Sequence, residues 1–200
     1  MTQTIDFYFD FSSPYGYFGS LFVDDLGVET RWRPYLMGAA MKETGIPPLV
    51  HIPFKRDYAA LDIQRTARLH GVDFSIPSYF PFMSVKVCRA FYAIEAAQGH
   101  PAAKTFAAKV MQAVWGKGPN MTETDAIVAL CDMAGLAEAM TTQDIKDRLR
   151  AETEAAMTRG CWGSPHFFIN AGEIHAGAAS EHFWGCDKRT QMEQWLERPW

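Results

Sequence analysis

Apolar and polar residues alternate from Ile5 to Phe11, with Ile5, Phe7, Phe9 and Phe11 interleaved by Asp6, Tyr8 and Asp10, and this is the period of a β-strand. Ser12, Ser13 and Pro14 follow. The period then lengthens, because Tyr17, Phe18, Leu21 and Phe22 recur at helical spacing until Gly27. Val28 to Arg33 is rich in strand formers and stops at Pro34. The opening therefore reads β-α-β, and a right-handed crossover sets its two strands side by side and parallel.

Gly38, Gly45, Pro47, Pro48 and Pro53 fall within Met37 to Phe54, which predicts an irregular loop long enough to be a binding loop. Helices follow. Phe106, Val110, Ala113 and Val114 mark one amphipathic face, and Ile127, Leu130, Cys131 and Ala134 another, with Thr122 as a candidate N-cap. Weaker helical patterns cover Tyr58 to His70 and Ser84 to Ala97, and the middle of the chain has no strand signal. Ile145, Leu149 and Ala156 predict a helix from near Thr142 to Gly160. Pro165 then introduces a strand, His166 to Asn170. Ala171-Gly172 reads as a turn, Glu173 to His175 as an antiparallel partner, and Lys188 to Leu196 as a closing helix. This order of elements is that of an α/β, thioredoxin-like fold with an inserted all-helical domain. The expected division is 1–45 with 141–200 for the thioredoxin-like part and 46–140 for the insert.

Composition narrows the function classes. Hydrophobic residues at 48% and charged residues at 21% describe a globular chain able to bury a substantial core. A formal net charge of −4, with Lys and Arg scattered, argues against a nucleic-acid partner. Asp6 and Asp10 interrupt the apolar run that a signal peptide would need, and no window approaches the roughly 20 apolar residues of a membrane span. Cys88, Cys131, Cys161 and Cys186 form no C-x-x-C, so a cytoplasmic, reducing location without membrane association is expected. Cys161, His166, His175, His182 and Cys186 lie close in sequence but lack the tight spacing of strong metal sites, and no metal is expected.

Asp6-Phe7-Tyr8-Phe9-Asp10-Phe11-Ser12-Ser13-Pro14-Tyr15 resembles the first strand and active-site turn of the 2-hydroxychromene-2-carboxylate isomerases and the kappa-class glutathione transferases. Both belong to the DsbA-like branch of the thioredoxin superfamily. The likeness extends through Lys55-Arg56-Asp57-Tyr58, the Gly163-Ser164-Pro165 turn and Phe183-Trp184-Gly185-Cys186-Asp187-Lys188-Arg189. It implies glutathione as the cofactor and a small aromatic substrate as the partner. It also leaves a homodimer open, since relatives are commonly dimers.

A side chain at the start of the first helix sits among unpaired N–H groups and the positive end of the helix dipole, which favours an anion. Redox relatives place a cysteine thiolate there. Here the position is Ser13, with Gly16 where a second cysteine would stand, so dithiol exchange is ruled out at this turn. Taken alone, Ser13 followed by Pro14 reads as a plain N-cap. Within the resemblance it becomes the catalytic hydroxyl donor to the thiolate of glutathione. The resemblance further implies a cis-Pro165 facing the helix start, where an ordinary loop proline is the alternative, and a cis bond would let Ser164 offer its backbone to the cysteinyl part. Lys55 would meet the glycyl carboxylate, and Asp187, helped by Cys186, would hold the γ-glutamyl end. Otherwise Lys55 is a surface lysine and Asp187 a capping aspartate. Trp115 and Tyr79-Phe80 read either as the lining of an aromatic pocket or as ordinary core.

The chain departs from the family pattern in two places. It reads Thr44-Gly45-Ile46-Pro47-Pro48 where relatives often carry asparagine before paired prolines, which puts one contact in question. An insertion is expected around His175 to His182, and Glu173 to Gly177 competes with Asp187 for the same alignment.

Overall fold

β1 (Thr4–Phe9) lies inside a four-stranded sheet of order β2-β1-β3-β4, parallel to β2 (Glu29–Pro34) and antiparallel to β3 (His166–Asn170). The computed structural model of the chain describes residues 3–170 and 181–200. β3 pairs on its other side with β4 (Glu181–Trp184), the edge strand among the described residues. The expected turn at Ala171-Gly172 and partner strand at Glu173 to His175 lie outside the described residues.

The alternation in β1 survives with a different meaning. Ile5, Phe7 and Phe9 enter the larger core with Trp32, Phe167 and Ile169, whereas Tyr8 turns to the opposite face beside Tyr35, Phe168 and Cys161. Both faces are covered, so the polar positions are buried as well, Asp6 at 4% and Asp10 at 3% exposure. Each such carboxylate needs partners. Asp6 accepts from Arg33 Nε at 2.7 Å, Arg159 Nη1 at 2.6 Å and Asn170 Nδ2 at 3.0 Å. Burial would raise its pKa, but these donors more than offset that and hold the carboxyl below the ordinary range.

α1 (Pro14–Ser20) follows β1 directly, and its Phe18 is fully buried. The expected loop after β2 is a loop only in part. Met37–Thr44 forms α2, because the Met37 N–H at its start donates to Asp10 Oδ2 at 2.9 Å and Gly45, at φ 69°, ends it. Helical packing on the sheet thus overrides Gly38. Next come α3 (Lys55–His70), α4 (Val85–Gln98) and α5 (His100–Trp115). The region read as one helix around Ile127 to Ala134 is two short ones, α6 (Thr124–Val128) and α7 (Leu136–Ala139), separated at Gly135, whose φ of 74° breaks the helical path. Glu123 rather than Thr122 is the N-cap of α6, and the Thr122 hydroxyl donates to Asn120 Oδ1 at 2.8 Å instead. α8 (Gln143–Thr158) returns to the sheet, and α9 (Arg189–Glu197) closes the chain. Residues of β1, α1, α4, α5 and α8 share one apolar core, so the helices between β2 and β3 are packed onto the sheet. Among the described residues no helix is long and apolar enough to cross a membrane.

Candidate active site

Strand must become helix between Phe9 and Pro14, and Asp10 organises the change. Its Oδ1 accepts from the Ser12 N–H and hydroxyl, both at 2.8 Å, while its backbone carbonyl accepts from Ser13 N–H at 2.9 Å. With Oδ2 on Met37, one buried carboxylate fixes the starts of α1 and α2 together. Sequence reading saw Asp10 only as the polar phase of a strand.

Ser13 is buried and caps α1, accepting from Gly16 N–H at 3.1 Å. Its hydroxyl donates across the fold to the Ser164 carbonyl at 3.0 Å. The Ser164–Pro165 peptide is cis, and the Ser164 hydroxyl accepts from Asp10 N–H at 3.0 Å. Ser13, Ser164 and Pro165 are therefore one cluster, with the turn facing the helix start as the family resemblance implied. Gly16 has a physical reason here, since a Cβ on it would come within 2.6 Å of Ser164 Oγ. Gly19 makes the same room for Pro165, with a Cβ within 2.9 Å of the ring.

A second cluster joins α1 to α3 and to the segment after β4. The Tyr15 hydroxyl donates to Asp62 Oδ2 at 3.1 Å, and burial, with Asp62, Cys186 and Tyr58 close by, pushes its ionisation well up. Cys186 is pushed up to about 12, first by burial and then by the charges of Asp187 and Asp62. Cys186 is thus within electrostatic reach of Tyr15 in the first turn of α1, with Asp187 next to it in the chain. The Asp187 carboxylate is largely exposed and 2.8 Å from Lys188 Nζ. Gly185 N–H donates to the Pro165 carbonyl at 3.1 Å, which ties this segment to the cis-proline turn. Lys55 is exposed at the first position of α3. It precedes Asp62 by seven residues, about 10 Å along the helix and close to the same face. Phe54, just before it, is held at φ 64° with 88% exposure, a left-handed backbone unusual for a bulky residue. Tyr15 and Asp62 were missed by sequence reading, because a tyrosine and an aspartate 47 positions apart carry no local pattern.

Cys88, Cys161 and Cys186 are poor nucleophiles. Burial raises Cys88 well above its ordinary range and Cys161 to about 12, so these two, like Cys186, remain protonated near neutral pH. Trp115 is fully buried and stacked on Phe74 at 5.5 Å, and Phe74 meets Phe18 of α1. Trp115 belongs to the core that supports α1.

A serine-capped helix facing a cis-proline turn on a four-stranded mixed sheet defines a thioredoxin-like site, and the whole chain conforms to it. Residues 4–197 match the model of the DSBA-like thioredoxin domain, and the chain belongs to that family. Among curated relatives it is similar to a 2-hydroxychromene-2-carboxylate isomerase of Pseudomonas putida, at 26% identity over 97% of this chain and 94% of that protein. It is comparably similar to human glutathione S-transferase kappa 1, at 25% identity over 100% of this chain and 93% of that one. A solved structure of a 2-hydroxychromene-2-carboxylate isomerase superposes with a TM-score of 0.80 at 25% identity, covering 98% of this chain and 95% of its own.

Proposed function

We propose that the protein is a cytoplasmic, glutathione-dependent isomerase of a conjugated aromatic acid. The observation that carries this reading is the Ser13 hydroxyl, buried at the N-cap of α1 and hydrogen-bonded to the Ser164 carbonyl beside Pro165. A helix start built for an anion holds no thiol of its own, so the thiolate comes from a bound cofactor. The cysteinyl N–H of glutathione would take the Ser164 carbonyl in strand-like pairing. That exchange frees the Ser13 proton, and the hydroxyl turns to donate to the incoming thiolate.

The remaining contacts follow the same axis. Lys55 meets the glycyl carboxylate, while Asp187 and the Cys186 backbone take the γ-glutamyl end. An extended tripeptide spans about 10 Å, matching the distance along α3 from Lys55 to the Asp62–Cys186 region. The site thereby draws on both proposed units, 1–45 with 141–200 and 46–140.

In the reaction, the thiolate adds to the conjugated double bond and the electron pair moves onto the acyl side as an enolate. Rotation about the resulting single bond follows. The enolate then collapses, the C–S bond breaks and glutathione leaves unchanged. The similarity to kappa-class transferases favours one alternative, in which the same thiolate attacks an electrophile and glutathione is consumed. Turnover of a cis-configured conjugated aromatic acid with trace glutathione separates the two. Product exceeding the glutathione supplied is expected; stoichiometric loss of glutathione would instead assign the transferase reaction.

A further inference from the structure

His166 is fully buried on β3, and its Nε2 lies 2.9 Å from Nδ1 of His182 on β4. The rings are parallel within 1° and both stack on Phe168. Among the described residues His166 Nδ1 is buried without a hydrogen-bond partner. One hydrogen therefore bridges the two rings. When His166 Nε2 carries it, His182 Nδ1 accepts and His166 Nδ1 is left with only a lone pair. Adding a proton to either ring while the contact persists places an N–H on His166 Nδ1, because a doubly protonated His182 can donate only to an unprotonated Nε2. That buried N–H would lack an acceptor, at the cost of its full desolvation.

The surrounding charges do not relieve this. Arg159, from the end of α8, lies over Phe168 at 4.1 Å and is held by Asp6 of β1. Tyr8 of β1 and Cys161 before β3 are neutral near pH 7, both with ionisation pushed up to about 12. Glu181 of β4 accepts from the His182 backbone N–H at 2.9 Å. Burial, followed by His182 and Arg159, lowers His166 to about 4. Proton uptake must therefore part the two rings.

Among the described residues β4 pairs with β3 alone, and it runs directly into Gly185, Cys186 and Asp187. We propose that His166 and His182 are positioning residues for this segment: the neutral pair locks β4 onto β3, and acid unlocks it and weakens the hold on the γ-glutamyl end of glutathione. The second half rests on the glutathione reading above; the first does not.

S-methylglutathione is the suitable probe, since it has no group titrating between about pH 5 and 7.5. Calorimetry should show its affinity for the unmodified protein falling about tenfold over that range, the factor of one pKa unit of linkage. His166→Gln leaves no titrating group at the buried position, and its amide can donate to a neutral His182 Nδ1 or, turned, accept from a protonated one, so it should retain neutral-pH affinity and lose the acid dependence; His182→Ala should bind weakly throughout. Hydrogen exchange of the β4 amides, read without ligand and corrected for intrinsic rates, should show protection falling with acid in the unmodified protein but not in His166→Gln. Failure of S-methylglutathione to bind at pH 7.5 would overturn the glutathione reading and leave the exchange result to decide the lock. Equal acid dependence of β4 exchange in both proteins would overturn the lock itself.

Discussion

Ser13→Ala is expected to lower glutathione-dependent turnover about 10²–10³-fold, the usual cost of deleting one preorganised donor to a reacting anion. The same change removes the N-cap bond to Gly16 N–H and the bond to the Ser164 carbonyl, so stability should fall by only about 1–2 kcal/mol. Steady-state kinetics beside thermal unfolding distinguishes the effects. A catalytic loss in a protein that melts only a few degrees lower identifies Ser13 as part of the chemistry. A loss no greater than the unfolded fraction explains would leave it as a cap alone.

The largest stability effect is expected at Asp6, outside the site. Asp6→Ala should destabilise by about 3–5 kcal/mol in urea unfolding, because it leaves two guanidinium groups in a part-buried setting without their carboxylate. Arg33 still has Glu152 at 3.1 Å, whereas among the described residues Arg159 keeps only the Asn170 amide oxygen, at 3.1 Å, as a hydrogen-bond acceptor. The pH dependence has a definite sign. The folded pKa lies below the ordinary 3.8, so the contribution is complete above that value and is lost as pH falls through the lower folded one. The unmodified protein should therefore lose stability in acid more steeply than Asp6→Ala. The His166 contribution runs in the same direction at higher pH. Its stabilisation is present above about 6.5 and drains as pH falls toward the folded value of about 4.

The strand–serine–helix junction was legible because the change from a two-residue to a helical period falls at Ser13-Pro14, and the partners Ser164 and Pro165 came with the family resemblance. β3 was legible to the residue, since Pro165 precedes an apolar run that fits nothing else. The role of Asp10 was not legible. A carboxylate that caps a helix 27 residues away leaves no local mark, so α2 was read as a loop from its glycine. The burial of Asp6 escaped for a related reason: alternation suggests one wet face, and only the helices covering both sides of the sheet remove it. Tyr15 with Asp62, and His166 with His182, are contacts made by topology, the first across two helices and the second diagonally across a strand pair.

Stabilisation of a borrowed thiolate by Ser13 at the start of α1, as proposed above, is read out by the ultraviolet thiolate absorbance of bound glutathione. Titrated with pH on the intact protein, the bound thiol should ionise about two units below the roughly 8.5 of an ordinary thiol, and that shift should largely vanish in Ser13→Ala. Ionisation of bound glutathione at the ordinary value, or an equal shift in both proteins, would exclude Ser13 as the thiolate's stabilising donor.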